Sequence, residues 1–237
     1  MLKINNLSKT YKNSNKAVDN VSIEVKAGEI FGFIGHNGAG KTTTIKMVVG
    51  ILEIKDGDIL IDGVSVKENP IVCKAKLAYI PDNPDLYECL TGIQYLNFVA
   101  DIYQISKEER EKEIKRYGDL FEITNSFGDL IGAYSHGMKQ KLALISALIH
   151  KPKLLVLDEP FVGLDPKAAH TLKEIMKELC ANGSSIFFST HVLEVAEKLC
   201  HRVAIIKKGT IVAQGTTSEV VGDGSLEELF LELIDNE

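Results

Sequence analysis

A chain of 237 residues, 45% hydrophobic and 25% charged, has ordinary globular composition and enough length for one large or two modest domains. Its formal net charge of −6 offers no broad basic face to nucleic-acid phosphates, so nucleic acid is not expected as a partner. No apolar run approaches the roughly 18 residues of a membrane span and the N-terminus has no apolar signal core, which places the expected chain in the cytoplasm. Cys73, Cys89, Cys180 and Cys200 stand too far apart for zinc ligation, so reduced structural thiols and no zinc are expected.

Val21, Ile23 and Val25 alternate with polar residues, Ile30 to Ile34 form a short apolar run, and Ile59-Leu60-Ile61 meets the hairpin dipeptide Asp62-Gly63. These predict an antiparallel first sheet. Ile45, Val48, Val49 and Leu52 lie on one helical face and predict a helix reaching Leu52. Leu77 to Ile80, Leu154 to Leu157, Ile186 to Ser189 and Val203 to Ile206 read as buried strands alternating with helices, the mark of a parallel sheet covered on its faces.

Between Leu86 and His150 no strand pattern appears, while Thr91 with Gln94 and Ser106 with Glu109 are capping-box pairs that open helices. An inserted helical subdomain is therefore expected. The charged run Ser106 to Arg116 mixes both signs and reads as a solvated helix face. Leu172, Ile175, Met176 and Leu179 predict a core-facing helix that stops at Asn182-Gly183, and Ser225 opens a last one carrying Leu226, Leu229, Phe230 and Leu233. His150, His170 and His201 match no motif and read as surface or packing residues.

Gly35-His36-Asn37-Gly38-Ala39-Gly40-Lys41-Thr42 matches G-x-x-x-x-G-K-[ST] between an apolar strand and a helix, the context this phosphate loop requires. The glycines let successive backbone N–H groups turn toward phosphate oxygens, and the helix N-terminus adds partial positive charge. Lys41 is expected to neutralise the outer phosphates and the Thr42 hydroxyl to ligate Mg²⁺, with Thr43 beside it in the nucleotide site. His36 occupies a free position of the motif and is read as lining the loop.

Leu154-Leu155-Val156-Leu157-Asp158-Glu159 is a buried strand ending in two acids, and ligands of open α/β sheets bind at the carboxyl ends of strands. Successive strand residues point to opposite faces, so the acids take different roles unless the strand has already ended. Asp158 is assigned to the Mg²⁺ shell and Glu159 to orienting and deprotonating the attacking water.

Together these residues resemble the nucleotide-binding subunit of ATP-binding-cassette (ABC) transporters, over nearly the whole chain. Gly163-Leu164-Asp165 is similar to the family's D-loop, Ser189-Thr190-His191 to its switch histidine, and Tyr134-Ser135-His136-Gly137-Met138 to its Leu-Ser-Gly-Gly-Gln signature. Ser135 also reads as the N-cap of an apolar helix beginning near Met138. The resemblance implies that Tyr11 stacks on adenine, that His191 contacts the γ-phosphate, and that Ser135 to Met138 complete the ATP site of an opposite subunit. It implies an α/β fold: a P-loop NTPase (RecA-like) core with an antiparallel β subdomain and an inserted α-helical subdomain. One domain over 1–237 is expected, with 1–85 and 151–224 as the core and its antiparallel sheet, 86–150 as the helical signature subdomain and 225–237 as a C-terminal helix.

Two segments depart from the family, the signature at two positions and the stretch after the expected strand Leu77 to Ile80 at one. His136 replaces the first signature glycine, putting a side chain where backbone approaches phosphate, and Met138 replaces the glutamine. Asp82 stands where the family carries a glutamine that reaches the metal, and offers a shorter, charged side chain. The expected cofactors are ATP and Mg²⁺. The expected partners are a transmembrane permease and a second nucleotide-binding subunit, identical or not, on the cytoplasmic face of the membrane. The tail from Ser225 is similar to exporter-type cassettes. A soluble cassette acting as an assembly module, and a P-loop kinase, are the rival readings.

Overall fold

Two faces of one twisted sheet organise the core, and strict alternation along its strands decides what each face buries. The computed structural model describes residues 1–11 and 16–235, so the last two residues of the expected C-terminal helix lie outside it. A smaller antiparallel sheet has the order β2-β1-β4-β5, with β1 Leu2–Thr10, β2 Lys16–Val25, β4 Asp56–Ile61 and β5 Val64–Ser65. The larger sheet has the order β10-β9-β3-β8-β7-β6: β3 Ile30–Ile34, β6 Leu77–Ile80, β7 Leu154–Asp158, β8 Ser185–Thr190, β9 Arg202–Lys207 and β10 Thr210–Thr216. Its strands run parallel except β10, which pairs antiparallel with β9 as an edge that the sequence reading did not contain.

On β7, Leu155 and Leu157 join the core shared with the helices, while Leu154 and Val156 join the core shared with the small sheet. Ile30 and Ile34 on β3 likewise face the helices, and Phe31 and Phe33 face the small sheet, where Phe187 packs against both rings. Asp62 and Gly63 both take positive φ, 52° and 77°, which is the type I′ geometry their dipeptide predicts.

Helix α1, Lys41–Val48, is shorter than its apolar period. Gly50 adopts φ 70° and its N–H bonds Met47 O, while the Ile51 N–H bonds Lys46 O, a Schellman stop that leaves Leu52 beyond the helix. The same geometry at Gly183 ends the helix that starts at Pro166, as predicted. Short α2, Pro70–Lys74, precedes β6.

Between β6 and β7 stand α3 Gly92–Ile102, α4 Lys107–Leu120 and α5 His136–Leu148, the helical insertion. Thr91 and Gln94 form both bonds of a capping box. Ser106 caps the Glu109 N–H, but the Glu109 carboxylate pairs with Lys151 instead of returning. The α4 face is not wholly solvated: Glu113 is 2% exposed and pairs with Lys151 at 3.2 Å and Arg116 at 3.5 Å. Helix α5 begins at His136, two residues before the expected start, because Ser135 already accepts from the Met138 N–H.

After β7 come α6 Pro166–Ala181, α7 Leu193–Leu199, α8 Thr217–Val221 and α9 Leu226–Asp235. Ser225 and Glu228 cap α9 reciprocally. Cys73, Cys180 and Cys200 are buried and Cys89 is exposed, all as free thiols. No described helix is long and apolar enough to cross a membrane.

His150 is a packing residue, and His201 is exposed and bonds the backbone through one ring nitrogen. His201 Nδ1 accepts the Ile30 N–H at 3.0 Å. The His150 ring stacks on Tyr103 with centroids 3.7 Å apart and meets Leu77 O at 3.3 Å, joining the helical insertion to β6. Burial lowers the His150 pKa to about 4, so between its unfolded value and that one the unfolded chain binds a proton the native chain does not. Stability therefore falls as pH drops through this window. Urea titrations at pH 7 and pH 5 should show a loss of about 1–2 kcal/mol more in the wild type than in His150→Phe; equal losses would remove His150 as the cause.

Candidate functional site

Because β3, β6, β7, β8 and β9 run parallel, the segments leaving their carboxyl ends gather along one edge of the sheet. The phosphate loop follows β3, Asp82 follows β6, Asp158 and Glu159 end β7, and His191 follows β8. The loop is wedged between β9 and the start of β2. A Cβ on Gly35 would lie 2.6 Å from Ile206 O, and one on Gly40 only 2.4 Å from Ala17 O. Gly40 also takes φ 112°, which favours glycine on conformational grounds. No side chain caps the first turn of α1 and no acid lies within it, so its orphan N–H groups are left for an anion.

Lys41 is 5% exposed, and its ammonium donates to Gly35 O at 2.6 Å and His36 O at 3.3 Å. It also faces Glu159 Oε1 at 3.3 Å, an ion pair without hydrogen-bond alignment. Strand β7 ends at Asp158, and Glu159 turns off it with φ 49°, so the alternation that would have separated the two acids no longer applies. The Glu159 N–H bonds Ser189 O and Oγ at 3.2 and 3.1 Å, and its Oε2 accepts from the His191 N–H at 3.3 Å and meets His191 Nδ1 at 2.9 Å.

A cavity of about 170 Å³ opens above the loop, lined by residues 36–38 and 40–43 together with Ala17, Asp82 and Glu159. Gly35 and Ala39 do not line it; Gly35 serves through its carbonyl and Ala39 is buried in the core beneath. His36 lines it with its Nδ1 2.7 Å from Asn37 O, as a loop-lining residue. Tyr11 stands at the rim, 43% exposed, its hydroxyl 3.5 Å from Thr43 Oγ1. Ala17, which meets the loop through its carbonyl, has no local sequence signal, and neither have the bonds of Ser189, named above only as the start of the switch segment, to Asp158 and Glu159 across strands.

Asp158 is 1% exposed; Ser189 Oγ donates to its Oδ1, and its Oδ2 has no protein partner. Asp158 does not itself line the cavity, as Thr42 and Asp82 do; its half-satisfied carboxylate at the end of β7 and their side-chain oxygens are the hard-oxygen donors that could hold Mg²⁺. Among the described residues no three His, Cys, Asp or Glu side chains form a metal cluster on their own.

The signature segment lies elsewhere, since none of Ser135, His136, Gly137 and Met138 lines the cavity. Ser135 is exposed as the α5 cap. The His136 ring, exposed at the start of α5, lies against Gly163, where an added Cβ would sit 2.7 Å from Cδ2 and Nε2. Asp165 caps α6 through the Ala168 N–H at 2.8 Å and pairs with Lys141 of α5 at 2.8 Å. The Lys141 ammonium and that N–H hold its carboxyl below the usual range.

This architecture has known counterparts. The ABC transporter family model matches residues 18–162. The ABC-type transporter ATP-binding protein EcsA of Bacillus subtilis is 38% identical over 224 residues, covering 92% of this chain and 91% of that protein. The linearmycin resistance ATP-binding protein LnrL of the same organism is 34% identical over 220 residues, covering 93% and 70%. A solved ATP-binding subunit of an ABC transporter superposes with a TM-score of 0.95 at 36% identity, over 99% of this chain and all of that one. The chain therefore belongs to the ABC transporter family as an ATP-binding subunit that hydrolyses ATP to power transport.

Proposed function

We propose that this chain is the cytoplasmic motor of an exporter, working on the inner face of a membrane against a separate permease and paired with a second cassette. The observation that carries the reading is the Lys41–Glu159–His191 chain of contacts at the phosphate loop, with the signature segment held away from it in the same chain. A site so divided is completed by two subunits facing head to tail. We assign 1–85 and 151–224 to the ATP-holding core and 86–150 to the signature and docking region.

In this reading the loop N–H groups cradle the phosphates, Tyr11 supports the adenine and Lys41 neutralises the outer oxygens. Thr42 and Asp158 hold Mg²⁺, with Asp82 across the cavity. Bound there, Mg²⁺ supplies charge neutralisation across the phosphate oxygens. Lys41 now faces Glu159, so an arriving γ-phosphate competes for the ammonium and leaves the carboxylate to take a proton from water. His191 steadies Glu159 through Oε2 and turns toward the γ-phosphate. Ser135 and Gly137 meet the partner cassette's nucleotide, and Asp165 lies at the dimer seam.

Docking is supported by an exposed aromatic cluster beside the Asp82 segment. Tyr87 is 58% and Phe98 44% exposed, their rings meet edge to face at 5.8 Å, and Tyr95 lies 6.3 Å from Tyr87. Export of a drug, peptide or lipid is supported by likeness to a protein named for resistance.

Glu159→Gln should bind ATP as the wild type does and hydrolyse it about 10²- to 10⁴-fold more slowly, a barrier rise of roughly 3–5 kcal/mol. With ATP present it should elute as a dimer. Phosphate release, nucleotide binding and size-exclusion with light scattering measure the three; hydrolysis at the wild-type rate would remove Glu159 from the chemistry. Capture of the tagged chain from detergent-solubilised membranes should bring down a membrane-spanning protein, and recovery of soluble partners alone would defeat the transport reading.

A further inference from the structure

Two shielded oxygens at the carboxyl end of the large sheet lack any protein partner: the Tyr79 hydroxyl on β6 and Asp158 Oδ2 on β7. The strand register makes them neighbours. Tyr79 pairs with Val156, and Asp158 lies two residues beyond Val156 on the same strand. Side chains alternate along a strand, so Tyr79, Val156 and Asp158 share one face and Tyr79 is the diagonal neighbour of Asp158. Tyr79 packs against the core that also holds Val156, Ile45 and Met47, which places this face under α1 and the phosphate loop.

The hydroxyl there is a committed donor. Burial first, then the charges of Asp158 and Asp82, raise its proton affinity well above that of an ordinary phenol. Packing alone does not call for it, since a phenylalanine ring fills the same space with no polar atom to satisfy. A donor and an acceptor, both shielded, side by side and separated by more than direct bonding distance, are joined most simply by one water, which needs two to four polar partners.

We propose that Tyr79 is a positioning residue of the metal and phosphate site, its hydroxyl holding a water against Asp158 Oδ2. Ser189 fixes the other oxygen of the same carboxylate, so both would be tethered and the acid aimed. The inference rests on the reading of Asp158 as the Mg²⁺ acid. Outer partners of this kind govern metal affinity without touching the ion.

Mn²⁺ is the probe, titrated by electron paramagnetic resonance against the full chain with ATP in a Glu159→Gln background that stops turnover. Adding Tyr79→Phe should weaken Mn²⁺ binding about tenfold. ATP affinity in excess chelator and the melting temperature should stay unchanged. Asp158→Asn, the reference, should weaken Mn²⁺ binding further. Unaltered Mn²⁺ affinity in Tyr79→Phe with a weakened Asp158→Asn overturns the role of Tyr79 alone. Equal losses of Mn²⁺ and metal-free ATP binding in Tyr79→Phe overturn it too, because a merely structural role moves both. Unaltered Mn²⁺ affinity in Asp158→Asn overturns the metal assignment beneath it.

Discussion

A buried ammonium ties one end of the large sheet together. Lys41 is almost wholly withdrawn from water, and a cation in that position needs partners of its own. They come from two places: the carbonyls of the loop after β3 and the carboxylate at the end of β7. Glu159 extends the network to β8 through His191 and the Ser189 hydroxyl. Three strand ends thus meet at one charge. The loop cannot relax around it, because Gly35 and Gly40 already sit against Ile206 O and Ala17 O with no room for a Cβ. The positive charge is therefore placed before any phosphate arrives, which is the preorganisation that electrostatic catalysis requires.

Strong local chemistry was readable from the chain, and long-range placement was not. Leu77 to Ile80 and the Asp62-Gly63 turn appear where apolar runs and turn residues put them, whereas Ile30 to Ile34, expected in the antiparallel first sheet, pairs parallel with β8 and β9 in the large one, as its unbroken burial on both faces requires. Strand β1 carries no plain strand signal, because its buried Leu2, Ile4 and Leu7 break strict alternation, with Asn6 in positive φ and a register shift between Ile4 and Leu7. Strand β10 is a half-exposed edge whose pattern is neither apolar nor cleanly alternating. Helix α1 stops early because Gly50 closes it, although the apolar period runs on to Leu52.

The candidate site divides along the same line. The phosphate loop and the two acids carry their chemistry in contiguous residues, so spacing alone brought them forward. Ala17, Ser189 and Tyr79 enter only because β2, β8 and β6 lie beside that loop and β7 in space. Glu113 shows the converse error. A run of mixed charges reads as solvated, yet this acid is buried because Arg116 of its own helix and Lys151 beyond α5 come close enough to compensate it.

The division of the site between two places in one chain has a physical counterpart in the contacts joining them. From Glu159 one short turn leads through Gly163 to Asp165. Gly163 lies against the His136 ring, and Asp165 holds Lys141, so α5 is fastened at its first and sixth residues to the segment that leaves the carboxylate. Neither fastening passes through the cavity. A shift of Glu159 when Lys41 changes partners would therefore have a contiguous mechanical route to the N-terminus of α5, whose first turn holds no acid. In the paired arrangement proposed above, that N-terminus faces the other subunit's phosphates. Occupation of one site would then be felt at the opposite one through packed atoms rather than through solvent, and His136 is the residue by which this chain makes the first of those two contacts.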